Sequence, residues 1–256
     1  MKWIIPRFVY QVYERKLGEE IRKKPIPQHI GVILDGNRRG SKILGLGQNE
    51  GYELGAKKLE EVLNWAWELG VKIVSCWVFS TENFHRPKEQ VDTIMKLALE
   101  KLQLIQTDKR VKEHKLKIKI IGRRSMLSEE IRKEIEYVEE LTKNNEQYQL
   151  NICMAYGGRA EILDAIKGIA KKVSENEITI EDINEDLVSE NLYTNGLPDP
   201  ELIIRTSGEE RLSGFLLWQS AYSELYFEEA YWPLFRKIDF WRAIRIYQQR
   251  SRRFGK

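Results

Sequence analysis

The residues best suited to chemistry lie between 205 and 227. Arg205-Thr206-Ser207-Gly208-Glu209-Glu210-Arg211-Leu212-Ser213 sets two guanidiniums, three hydroxyls and a glycine within nine residues, directly after the apolar run Leu202-Ile203-Ile204. Guanidinium forks match phosphate oxygens in pairs, and hydroxyls and a glycine-freed backbone add donors, each charge-assisted bond contributing roughly 1.5–3 kcal/mol. This composition reads as an anion site and points to chemistry on a phosphorylated ligand. A second cluster, Asp35-Gly36-Asn37-Arg38-Arg39-Gly40, follows the apolar His29-Ile30-Gly31-Val32-Ile33-Leu34. An acid beside a glycine turn and two arginines can hold Mg²⁺ while the arginines and backbone N–H groups hold a diphosphate. Plainer readings stand beside these. Asp35 could cap a helix, Ser80, Asn83 and Arg86 could be turn residues before Pro87, and Arg205, Arg211 and Ser213 could belong to a surface salt-bridge network with Glu209 and Glu210.

Asp35-Gly36-Asn37-Arg38-Arg39, then Phe79-Ser80-Thr81-Glu82-Asn83-Phe84-His85-Arg86-Pro87, then Tyr156-Gly157-Gly158-Arg159, then the 205–227 block resemble, in order and spacing, the motifs of the cis-prenyltransferases. The resemblance covers about residues 25 to 255. It implies a homodimeric enzyme that transfers a prenyl group from an allylic diphosphate to isopentenyl diphosphate and leaves a Z double bond. By the same resemblance Asp35 is the Mg²⁺ ligand. Gly36, Asn37, Arg38, Arg39, Tyr52 and Arg86 bind substrate, chiefly the donor diphosphate, and Ser80 and Asn83 position the reacting groups and assist proton removal. Arg205, Arg211 and Ser213 grip the acceptor diphosphate, and Glu224 reaches the metal across the dimer interface. The apolar helix from Val91 to Ile105 lines a tunnel for the growing chain, and the ending Arg250-Ser251-Arg252-Arg253-Phe254-Gly255 folds over the partner's acceptor site.

The chain departs from the family pattern at five positions. Gly40 replaces an aromatic, Gln48 and Tyr52 replace an arginine and a histidine near the donor diphosphate, Phe84 replaces a tryptophan, and Gly214 an asparagine. A larger, less charged entrance is expected, and with it an altered donor or an acceptor such as dimethylallyl diphosphate or an alcohol. A non-catalytic partner subunit is a further alternative, against which Asp35, Arg39, Asn83 and Arg86 argue together. The chain contains no Asp-Asp pair and so lacks the D-D-x-x-D motif of trans-type synthases.

Composition narrows the field. With 256 residues and a formal net charge of +3, the chain suits one α/β domain and small anionic substrates, and the excess is too slight to argue for nucleic acid. Cys76 and Cys153 lie inside apolar runs without C-x-x-C spacing, and His29, His85 and His114 are far apart, so any metal is expected on oxygen and the cytosol is the simplest compartment. No run approaches the ~20 apolar residues of a membrane span. Gly45-Leu46-Gly47-Gln48-Asn49-Glu50-Gly51 has its third glycine one residue too late for a dinucleotide fingerprint.

These groups must be positioned by strands. Apolar segments at 29–34, 71–79, 116–121, 148–154, 201–205 and 224–228 alternate with helical patterns at about 3–22, 51–69, 88–112, 128–143, 159–174, 181–191 and 239–252. The expected fold is a single α/β domain, a six-stranded, mainly parallel sheet covered by helices on both faces, with the polar clusters gathered at the strands' carboxyl ends. Residues 25–256 form the catalytic domain. Residues 1–24, where Trp3, Ile4, Phe8, Val9, Val12 and Tyr13 interleave with Lys2, Arg7, Arg15 and Lys16, form a basic amphipathic helix that could contact an anionic membrane or pack on its own domain.

Overall fold

Short β-branched runs, apolar on both faces, favour a parallel sheet buried between layers. The computed structural model, which describes residues 7–250, contains that sheet: β1 (His29–Ile33), β2 (Ile73–Ser80), β3 (Leu116–Ile121), β4 (Tyr148–Tyr156), β5 (Leu202–Arg205) and β6 (Glu224–Phe227). The strand order is β3-β4-β2-β1-β5-β6, and every pairing among the described residues is parallel.

The helices are α1 (Arg7–Ile21), α2 (Asn37–Ile43), α3 (Gln48–Leu69), α4 (Lys88–Ile105), α5 (Lys109–Glu113), α6 (Glu129–Thr142), α7 (Gly158–Ser174), α8 (Glu185–Glu190) and α9 (Lys237–Gln249). The helices differ from expectation in two places. The helix expected over 88–112 divides, because the Asp108 carboxylate accepts the Arg110 backbone N–H at 2.9 Å and starts a new helix there. The short α2, with Gly40 in its middle, is absent from the expected helical patterns, although a helix after Asp35 is what the capping reading of that residue requires.

Alternate strand residues serve two cores. Ile30, Val32, Leu202 and Ile204 face a large core shared with α1, α3, α4, α6 and α9, whereas Ile33 and Ile203 face a smaller one closed by Phe215 and Leu216. The N-terminal helix buries Leu17 and Ile21 in the large core and leaves Val9 and Val12 exposed. The remaining residues of its expected pattern, Lys2, Trp3, Ile4 and the Arg7 and Phe8 side chains, lie outside the described residues. No described helix is long and apolar enough to cross a membrane.

At the amino end of the sheet a buried polar chain ties four segments. Asn151 donates to Ser75 Oγ at 2.9 Å, and Ser75 lies 2.8 Å from His29 Nε2. His29 Nδ1 lies 2.6 Å from the Pro198 carbonyl and must be the protonated nitrogen, so Nε2 accepts from the serine. Burial pushes His29 from 6.5 down to about 4. Between those values the unfolded chain binds the proton and the folded chain refuses it, so stability falls with pH across that window and levels off below it. The expected loss is about 3 kcal/mol from pH 6.5 to 4. Urea unfolding should show that His29→Gln removes most of the slope, and an identical slope in the variant would contradict the assignment.

Candidate active site

The register of two neighbouring strands builds the site. Ile33 of β1 pairs with Arg205, the last residue of β5, so Asp35, two residues further on, emerges beside the Arg205 guanidinium. Arg205 Nη2 donates to Asp35 Oδ2 at 2.7 Å, while Nη1 donates to Ser213 Oγ at 2.8 Å and to the Arg211 carbonyl. Its Nε is buried with no hydrogen-bond partner among the described residues. Thr206 Oγ1 donates to the Asp35 backbone carbonyl at 2.6 Å and fixes the chain at that residue.

Burial alone would raise the Asp35 carboxyl, but the Arg205 hydrogen bond and charge, the Gly36 N–H and the Ser207 hydroxyl outweigh it and hold the group below the usual carboxylate range. Asp35 is therefore an ionised acid at neutral pH, as a metal ligand must be. It is not the cap of α2, because Gly36 takes that position at φ 96° with no side-chain cap bond. A Cβ at Gly36 would also approach Tyr231 Cδ1 to 2.7 Å, which excludes other residues twice over. Arg39, one turn along, donates to Ser207 Oγ at 2.9 Å and to Glu209 at 3.1 Å, and its Nη2 lies 3.6 Å from Asp35 Oδ1.

This rim opens on a cavity of about 920 Å³ lined by Asp35 to Arg39, Lys42, Tyr52, Ser80, Asn83, Arg86, Arg205 and Ser213. Below the rim its wall is mostly apolar, built from Trp77 and Phe79 of β2, Ile152 and Met154 of β4, and Ile94, Leu97, Ala98, Leu102 and Ile105 of α4, with Lys101 of α4 also lining it and paired to Glu60 at 3.3 Å. Those α4 positions recur at three- and four-residue intervals, which identifies the helix face turned inward. One end of the cavity is thus lined by cationic and hydroxyl groups and the other mostly by hydrocarbon.

The other expected residues divide. Ser80 and Asn83 line the cavity and also cap each other, Asn83 N donating to Ser80 Oγ at 3.2 Å and Ser80 N to Asn83 Oδ1 at 3.1 Å, so the turn role is realised with both residues at the cavity wall. Arg211 is exposed and paired with Glu209, part of the salt-bridge network weighed against anion binding. Glu224 begins β6 opposite Leu202, at the far end of the strands from Asp35, and pairs with Arg250 at 2.6 Å; within one protomer it does not meet the rim. Residues 251–255 of the basic ending lie outside the described residues.

Three departures need correction as sources of a wider entrance. A Cβ at Gly40 would meet Pro233 Cδ at 3.0 Å and Tyr231 Cβ at 3.1 Å, so Gly40 permits close packing instead of opening a pocket wall. Phe84 packs edge-on against Phe79 at 5.0 Å, and the Gly214 carbonyl accepts the Gly158 N–H at 2.8 Å. Only Tyr52 of the five departures faces the cavity, where its hydroxyl accepts from Gln48 at 2.9 Å. Lys42, which the motif reading did not single out, lines the cavity, and Ser207 and Glu209, which stood within its nine-residue block, hold Arg39 at the rim.

The comparisons with known proteins agree with this geometry. The model of the undecaprenyl diphosphate synthase family, Prenyltransf, matches residues 33–255. The chain is 51% identical over 250 residues, 97% of its length and 89% of the relative's, to a geranylgeranyl-diphosphate-specific tritrans,polycis-undecaprenyl-diphosphate synthase of Methanocaldococcus jannaschii. It is 49% identical over 256 residues, covering 98% of this chain and 97% of the relative, to an isoprenyl transferase of Thermus thermophilus. Among solved structures, the lavandulyl diphosphate synthase of Lavandula x intermedia in complex with dimethylallyl diphosphate matches with a TM-score of 0.86 and 33% identity, over 93% of this chain and all of that one. The chain is an enzyme, and it belongs to the undecaprenyl diphosphate synthase family of cis-prenyltransferases, which transfer prenyl groups to build Z-configured polyprenyl diphosphates.

Proposed function

We propose that this chain elongates an allylic diphosphate, preferentially the C20 geranylgeranyl diphosphate, with successive isopentenyl diphosphates, using Mg²⁺ held at Asp35 within a homodimer. The single observation that carries the reading is the 2.7 Å pairing of Asp35 with Arg205 at the mouth of a cavity whose depth is mostly apolar. The C20 preference is supported by the geranylgeranyl-diphosphate specificity of the Methanocaldococcus relative.

The residues fit the ion's usual manner of binding. Among the described residues no three His, Cys, Asp or Glu side chains gather to hold a metal alone, and Mg²⁺ is commonly held by one or two carboxylates together with substrate phosphates. Bound at Asp35 with the donor, it would neutralise charge that develops on the departing diphosphate. The chain's own groups do the rest. Arg38, Arg39, Arg86 and the Gly36-Asn37 turn hold the donor diphosphate, and Arg205, Arg211 and Ser213 hold that of the acceptor. The acceptor double bond attacks the allylic carbon as its C–O bond breaks, Asn83 and Ser80 orient the acceptor C–H that loses a proton, and the apolar wall takes up the lengthened chain.

Each CH₂ buried there contributes about 0.8 kcal/mol, so growth is favoured until the wall stops it. Pairing through the 205–230 region would bring Glu224 of one protomer toward the partner's rim, and Val9 and Val12 beside Arg15 and Lys16 would let α1 touch an anionic membrane during product release.

Asp35→Asn keeps the shape and removes the charge. Turnover of labelled geranylgeranyl and isopentenyl diphosphates should fall at least ~10²-fold with the fold intact by circular dichroism, and undiminished turnover would exclude the metal role. Ala98→Phe, placed in the tunnel wall, should shorten the longest product by one or more C5 units in mass spectra while the first condensation persists; an unchanged product distribution would show that the chain grows elsewhere.

A further inference from the structure

The Glu209 carboxylate lies between two guanidiniums that come from different strand ends. Arg39 Nη1 donates to Oε1 at 3.1 Å, and Arg211 Nη1 donates to Oε2. Arg39 is turned into this contact by its second bond, to Ser207 Oγ at 2.9 Å. By contrast Arg38, Lys42 and Arg86, which line the cavity together with Arg39, form no ion pair among the described residues. Two guanidinium forks facing the two oxygens of one anion is also the arrangement in which such groups take a phosphate. A pair of arginines left without that anion would repel each other and lose their shared alignment.

We propose that Glu209 is a positioning residue that occupies donors meant for substrate phosphates: in the free site it holds Arg39, which serves the donor diphosphate, and Arg211, which serves the acceptor diphosphate, and it is displaced from each as its diphosphate arrives. The inference rests on the reading that this rim binds diphosphates. Its side chain is 28% exposed, so both of its ion pairs are screened by water and cheap to break, whereas a diphosphate brings more charge and more acceptor oxygens to the same donors. The arrangement orders two long side chains before substrate binds and gives back part of the binding energy as the carboxylate is expelled.

Inorganic pyrophosphate with Mg²⁺, titrated calorimetrically into the full chain, tests the inference with two isosteric variants. Glu209→Gln should bind pyrophosphate roughly three- to tenfold more tightly than wild type, since the competitor is gone. Glu210→Gln, the same change of net charge one residue away, should gain less than about twofold. In steady-state assays the Glu209→Gln KM for isopentenyl diphosphate should fall more than kcat, which a merely structural role would not produce. Equal or weaker pyrophosphate binding by Glu209→Gln, or an equal gain in Glu210→Gln, would overturn the inference while leaving the diphosphate reading intact. Failure of the wild-type chain to bind pyrophosphate would overturn both.

Discussion

A buried positive charge at the end of a central strand has to be answered, and most of the site follows from how this chain answers it. Arg205 closes β5 with its side chain 5% exposed, and taking a guanidinium that far from water costs several kcal/mol unless it is paired. The parallel register of β1 and β5 supplies the partner, because Ile33 and Arg205 stand opposite and the chain turns at Gly36 just past Asp35. One carboxylate cannot satisfy five N–H donors. Ser213 and the Arg211 carbonyl take two more, which draws the 206–213 loop over the sheet edge and brings Ser207 and Glu209 to Arg39.

The same edge places opposite demands close together. Above it, charges and hydroxyls remain partly wet and able to exchange their partners for a diphosphate. Below it, the large core is left incompletely filled between the sheet and α4, and this apolar space is where a hydrocarbon can go. Trp232 marks the boundary: it is fully buried, lines the cavity and donates its indole N–H to the Gly55 carbonyl at 2.8 Å, binding the loop that carries Tyr231 to the helix that carries Tyr52. An amphiphilic substrate would thus meet an amphiphilic cavity.

Much of this was legible in the sequence because strand ends in a parallel sheet share one edge. Asp35 and Arg205 are 170 residues apart, yet each follows an apolar β-branched run, and that alone brought them together. What the sequence could not show depended on distances across the fold. The inward face of α4 is decided by where β2 and β4 lie, the packing of Gly40 by Pro233 from the other end of the chain, and the double pairing of Glu209 by Arg39, to which no local pattern connects it. The short α2, with Gly40 in its middle, shows no helical pattern of its own and is sustained by its packing against α3 and the 232–234 turn.

The most direct test of the central claim is binding, separated from turnover. A non-hydrolysable thio analogue of an allylic diphosphate, titrated with and without Mg²⁺, should bind the wild-type chain more tightly when the ion is present, and Asp35→Asn should abolish that difference while binding of the hydrocarbon tail persists. An undiminished Mg²⁺ effect in the variant would contradict the account, because the carboxylate paired with Arg205 would then not be where the ion and the diphosphate meet.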